Sequence, residues 1–285
     1  MSEKERSRVL PAGWYPESEK KTLEVLKKWE KESDYIPQNV ERYAVSAVVP
    51  HAGWAFSGRL AFSTMFHLTQ DCETVIVVGG HMHGGDGVVA AEEALFETPL
   101  GHAPADRTFL AELSKTVHLR SDSVPDNTVE VNIPLVRYLF PHAEVVWLRT
   151  GAGEEAKELG AACAETAEKT GKNAVLIGST DLTHYGPNFG FTPAGLGSAA
   201  YRWVKEENDK KIIDAMLALN SDRVLLLGNE DKSACSAGAA AAAIEFARYY
   251  KAREGSLIAY SSSYEFHRDN SFVGYAGIYF RPEDN

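Results

Sequence analysis

Two histidines, a cysteine and an Asp–His pair are the residues of this chain whose types could do chemistry. His51, His81 and Cys235 are residue types that hold Fe, Cu or Zn, and a thiolate favours the softer of these. Their long spacing matches no short zinc signature, so three unrelated residues stand as the alternative. His81 and His83 flank Met82. Only one of them is expected to enter a site. Cys235 lies just before a predicted helix, and a positive helix end favours the thiolate. Its alternative is an inert buried thiol. Asp181 and His184 sit in a tight loop, where a carboxylate can fix the tautomer and tune the pKa of a histidine acting as acid or base. Loop capping by Asp181 and a structural hydrogen bond from His184 is the alternative. Ser179 and Thr180 lack the GxSxG surroundings of a nucleophile elbow, which argues against a serine hydrolase. Gly79-Gly80 and Gly84-Gly85 belong to no GxGxxG or Walker loop.

Three predicted strands must position these groups. Val45–Val49 breaks at Pro50 and delivers His51, with a helix starting from about Ser57. Thr74–Val78 runs through Gly79-Gly80 to His81, and Ala174–Gly178 runs into Ser179, Thr180, Asp181 and His184. Polar, titratable side chains at the ends of buried strands are where open α/β sheets place their sites.

The rest of the chain alternates in the same manner. Amphipathic or Ala-rich spacing predicts helices over 16–31, 58–68, 106–115, 126–140 (distorted near Pro134), 154–169, 206–219, 221–227 and the run SAGAAAAAIEFARYYK after Cys235. Trp14 and Tyr15 are expected to anchor the first helix to the body. His67, inside the second helix, reads as a structural histidine and Cys163 as a small core residue. Further strands are expected over 87–91, 144–148, 256–261 and 271–280, with 96–100 extended. No linker or repeat forces a boundary, so residues 1–285 read as a single α/β domain, its central and largely parallel sheet flanked by helices.

Composition narrows the function classes. A net charge of −11 argues against a general nucleic-acid binder and against an anionic membrane surface. No apolar run is long enough for a transmembrane helix, and the N-terminal stretch lacks an apolar signal core. Three cysteines far apart, with no CxxC, suit a reducing compartment. A cytoplasmic protein is therefore expected.

Several stretches occur in an order that resembles the MEMO-like family, also called AmmeMemoRadiSam system protein B. They are GWYP at 13–16, VVPHAGWAFSG at 48–58, the strand leading to Gly79-Gly80-His81, ETPLG at 97–101, TVEVNIPLV at 128–136, GSTDLTHYG at 178–186 and ACSAGAAAAAIEFA at 234–247. The family is similar in fold to the LigB-like class III extradiol dioxygenases, which are non-haem iron enzymes. The resemblance implies one LigB/MEMO-like α/β domain and a metal site made of His51, His81 and Cys235, holding Fe(II) or copper. It places Asp181 and His184 in the same pocket, with His184 in acid/base catalysis. It allows a dioxygenase-like oxidoreductase acting on a small chelating substrate, or a non-catalytic metal- or peptide-binding adaptor. It also suggests radical-SAM or AMMECR1-like partner proteins. Three departures stand out. The family's G-P-(S/N)-H run is replaced here by Gly79-Gly80-His81-Met82-His83, which leaves His83 as the alternative ligand. Asn127 stands where the family tends to carry a histidine. A cysteine takes the place of the dioxygenases' carboxylate ligand, which changes the charge and redox behaviour of a bound iron.

Overall fold

The apolar runs of the sequence become adjacent strands because each is buried on both faces. A computed structural model describes residues 4–32, 36 and 42–283. Its strands are β1 (Glu5–Arg6), β2 (Ser46–Val49), β3 (Thr74–Gly79), β4 (Val88–Ala90), β5 (Leu95–Thr98), β6 (Gly101–Pro104), β7 (Leu119–Ser121), β8 (Glu144–Thr150), β9 (Ala174–Ser179), β10 (His184–Tyr185), β11 (Gly255–Ser262) and β12 (Phe272–Phe280). The main sheet runs β10-β12-β2-β9-β3-β8-β4-β7, with β11 paired to β12. Its centre, β2-β9-β3-β8, is parallel, and the antiparallel strands lie on either side. A smaller sheet, β1-β5-β6, packs beside it.

Strand alternation divides the core between the two faces. Val48, Ile76, Val78, Val146, Leu148 and Leu176 face the helices Glu154–Thr170 and Ala237–Tyr249. Ala47, Val49, Val75, Val77, Val145 and Ile177 face Arg59–Met65, Ile133–Leu139 and the first helix, Glu19–Glu32. The Ala-rich run after Cys235 exists for close approach. A Cβ on Gly160 would come within 2.3 Å of the Ala242 carbonyl oxygen, and one on Gly178 within 2.3 Å of that of Ala239.

The elements differ from the sequence reading in a few places, each with a local cause. The helix expected over 126–140 is two, Asn127–Glu130 and Ile133–Leu139. Pro134 has no N–H to give to the preceding turn, and it sits at the start of the second helix, where none is needed. The segment after His51 starts early as a π-helical turn, Trp54–Gly58, before the α-helix Arg59–Met65. His67 falls just beyond that helix and stacks on Tyr279 at 4.5 Å. The helix expected from Glu206 begins at Ser198 and passes through a second π turn, Val204–Asn208, before Asp209–Leu217. The segment at 96–100 is one arm of the β5–β6 hairpin. Tyr15 anchors the N-terminal segment: its hydroxyl donates to buried Glu130 at 2.8 Å, and the same carboxylate accepts the backbone N–H groups of Val9 and Leu10. No helix among the described residues is long and apolar enough to cross a membrane.

Candidate metal centre

The three strands whose ends carry polar loops, β2, β9 and β3, are neighbours and run parallel. Their C-terminal ends therefore open on one edge of the sheet, and His51, Asp181 and His81 emerge together there. Cys235 reaches the same edge from the turn before Ala237–Tyr249, where its N–H donates to the Asp181 carbonyl at 3.2 Å.

His51 is fully buried and held from several sides. Its backbone N–H donates to Asp181 Oδ1 at 2.7 Å, and its carbonyl accepts from Asn127 Nδ2 at 3.2 Å. Its Nδ1 lies 3.2 Å from Ser179 Oγ, which also accepts from Asn132 Nδ2 at 3.0 Å. Its Nε2 then faces Cys235 Sγ at 3.1 Å. The His81 ring stands edge-on to His51, centroids 5.1 Å apart. One donor atom each from His51, His81 and Cys235 lies within 4.8 Å of the others. Two imidazoles and a thiol sulfur this close form a donor set that fits Fe, Cu or Zn.

His81 is less confined, with a side chain 41% exposed. Gly80 makes its turn possible, at φ +128°, where a Cβ would lie 2.8 Å from the Thr150 carbonyl oxygen. His83, the other member of the triplet, is exposed; its N–H donates to Asp86 Oδ2 at 2.8 Å, and it is absent from the donor cluster.

Asp181 joins the two halves of the pocket. Its Oδ2 lies 3.9 Å from His51 Nε2 and 3.9 Å from His184 Nε2. His184 packs edge-on against Phe189, and its buried Nε2 makes no hydrogen bond among the described residues. Above these groups is a cavity of about 630 Å³, lined by Trp14, Phe56, Asn127, Val273 and Tyr275 together with His51, His81, Asp181 and His184. Ser179 is buried behind His51 and is absent from that lining.

Burial dominates the electrostatics. It lowers the His51 pKa to about 3, helped by neighbouring His81. It also lowers that of His184, against the pull of Asp181. Both imidazoles are thus neutral at pH 7 and carry a lone pair. Burial lifts Asp181 to about 6, which leaves it mainly ionised at neutral pH. Burial and the Asp181 charge push the Cys235 thiol up to about 12. The helix end expected to favour the thiolate is outweighed, and in the metal-free chain the sulfur keeps its proton. A bound cation reverses that preference, since a coordinating thiol is deprotonated.

Several supporting residues escaped the sequence reading. Asn132, through the already noted Ser179, holds the rear of His51, and Asp126 and Arg149 stand beside His81. Arg149 had a signal: it is a charged residue directly after the apolar run Val145–Leu148 of strand β8, which pairs with β3. Asn132 had none, because its role depends on a register across three elements.

These features define an α/β protein with a histidine–cysteine donor set at the carboxyl edge of a parallel sheet. The chain belongs to the Memo-like family, whose family model matches residues 6–279. It is 31% identical to a MEMO1 family protein of Pyrococcus abyssi over 94% of this chain and 96% of that one. A MEMO1 family protein of Thermococcus onnurineus is 29% identical over 96% and 98%, and one of Methanopyrus kandleri 30% identical over 82% of each chain. A crystal structure of an uncharacterized protein from Escherichia coli K12 shares the fold, with TM-score 0.53 and 14% identity, covering 82% of this chain and 98% of that one. The α/β class expected from the sequence, with helices on both faces of the sheet, is the class that these matches and the sheet order show.

Proposed function

We propose that this protein is a metal-dependent oxidoreductase of dioxygenase type, in which His51, His81 and Cys235 hold Fe(II), or copper in its place. The supporting observation is the donor set, within 4.8 Å, two members of which, His51 and His81, line a 630 Å³ cavity that also presents His184. Bound there, the metal would supply Lewis-acid and one-electron chemistry to a small chelating substrate, such as a vicinal diol or phenol, and to dioxygen.

The chain's own residues do the rest. Neutral His184, which lines the cavity with an unpartnered Nε2, is the base placed to take a proton from a substrate hydroxyl. Asp181, 3.9 Å away, stabilises the imidazolium that results. Trp14, Phe56 and Tyr275 give the cavity apolar walls that limit water around the reacting groups.

The test is oxygen consumption by anaerobically iron-loaded protein against a panel of catechols and vicinal diols, beside His184→Ala. Turnover in the wild type, lost in the variant while iron is retained, supports the reading. A second role, a metal- or peptide-binding adaptor without turnover, draws support from Phe56 and Phe266. These two are exposed and packed edge-on, centroids 6.2 Å apart, and Phe56 lines the cavity. Retained iron with no substrate consumed across the panel would favour the adaptor.

A further inference from the structure

A buried charge relay ends on His81, the ligand candidate with the least support from its own loop. Arg149 is buried at the end of β8. Its Nε and Nη2 form a two-pronged pair with Asp122, at 2.9 and 2.6 Å. Asp122 is also bonded by Trp147 Nε1 at 3.2 Å. The third nitrogen, Nη1, lies 3.3 Å from Asp126 Oδ2. That same oxygen lies 3.7 Å from His81 Nδ1, just beyond hydrogen-bond length. The other oxygen, Oδ1, is occupied: it caps the helix Asn127–Glu130 by accepting the Thr128 N–H at 2.8 Å and also takes the Thr128 hydroxyl. Thr128 Oγ1 in turn accepts the Gly80 N–H at 2.9 Å, which ties the turn before His81 to the same carboxylate.

The geometry points to Asp126, held by Arg149, as the positioning residue that takes the Nδ1 side of His81 and leaves Nε2 to face His51 and Cys235. The inference rests on the metal reading above. A histidine ligand whose other nitrogen donates to a carboxylate is fixed in tautomer and ring angle, and its basicity rises. Asp126 is suited to this because its two oxygens have separate duties, one to the helix and one to the ring. Arg149 holds the second oxygen in place and keeps a positive charge against it. His83 has no such carboxylate on its ring among the described contacts; its backbone alone is tied, to Asp86.

Two properties of the site make this testable without turnover. Asn is as good a helix cap as Asp, so Asp126→Asn keeps the Oδ1 duty and loses the charge facing His81. Cobalt(II) reports thiolate and imidazole ligation by its absorption, so affinity and ligand field are read on the same sample. Co(II) and Fe(II) affinities would be measured anaerobically for the wild type, Asp126→Asn, Asp126→Glu, His81→Ala and the double variant His81→Ala/Asp126→Asn, each with its thermal midpoint. The expected result is a loss of affinity of about 10- to 100-fold in Asp126→Asn, the range for outer-shell partners of a metal histidine. Its thermal midpoint should fall, because the Arg149 ion pair is lost with the charge, and Asp126→Glu should recover part of both losses. The double variant should bind no more weakly than His81→Ala, because Asp126 acts through His81. Wild-type affinity in Asp126→Asn, or a loss that adds in full to that of His81→Ala, overturns the inference and leaves the metal reading standing. A wild-type protein that binds neither ion overturns both.

Discussion

The two sides of the candidate metal pocket are built in different ways. On the β2–β9 side, buried His51 and Asp181 and half-buried Cys235 are cross-tied by backbone: His51 N–H to Asp181, Cys235 N–H to the Asp181 carbonyl, and Ser236 N–H to Thr180 Oγ1. On the β3–β8 side, His81 is exposed on a glycine turn and is supported by side chains alone. One side is preformed by the fold, and the other can adjust as a ligand arrives.

The largest expected effect tests that asymmetry. His51→Ala should abolish metal retention, a loss beyond the roughly 100-fold typical of outer-shell changes. His81→Ala should weaken binding and leave a measurable affinity. Metal content after gel filtration compares the two, and equal loss in both would remove the distinction between the sides.

Gly178→Ala comes next. Its Cβ would press to 2.3 Å on the Ala239 carbonyl oxygen and drive β9 away from the helix that follows Cys235. Overpacking of this kind costs about 1–3 kcal/mol, read as a lower urea midpoint. Metal retention should fall with it, because Asp181 and Cys235 ride on the two elements being separated. A stable variant that loses no metal would show that the preformed side is more pliant than its bonds suggest.

A smaller effect concerns Asp209, which lies behind His184. Its carboxylate accepts the Thr183 N–H at 3.0 Å, the Thr183 hydroxyl at 2.5 Å and the Tyr260 hydroxyl at 2.9 Å. Burial nevertheless lifts its pKa from 3.8 to about 7. In the unfolded chain the group ionises at its ordinary value, so above about pH 4 the unfolded state sheds a proton that the folded state keeps. The group's contribution to stability is complete below that pH and is lost as pH rises through about 7. Asp209→Asn should flatten the stability profile across that window, measured by denaturant midpoints in a pH series. An unchanged slope would place the titration elsewhere. The smallest effect belongs to His83→Ala, which should leave metal affinity within about twofold, well inside the range for outer-shell residues.

Much of the pocket was legible in the sequence because His51, His81 and Asp181 follow strand ends directly. His51 comes two residues after β2, His81 two residues after β3 and Asp181 two residues after β9, and a parallel sheet aligns such ends without further instruction. The strand centres were equally plain, since Val45–Val49 is rich in Val and Ala and Val75–Val78 is apolar throughout. The choice between His81 and His83 was not legible. That His81 and not His83 joins the donor cluster depends on the path of the backbone through a glycine at φ +128°. The state of the Cys235 thiol was misjudged for a related reason: the helix end was visible in the sequence, but the depth of burial and the nearby Asp181 charge were not. The break between 130 and 133 was anticipated only as a distortion at Pro134, because the competing use of Asn132 by Pro50 and Ser179 is a tertiary fact.

The most direct test of the account is X-ray absorption at the metal edge of the anaerobically reconstituted wild-type protein. The account predicts one metal per chain, with one sulfur and two imidazoles in its nearest shell. The sulfur should vanish in Cys235→Ala. A metal bound with no sulfur neighbour, or protein that takes up no metal at all, would contradict it.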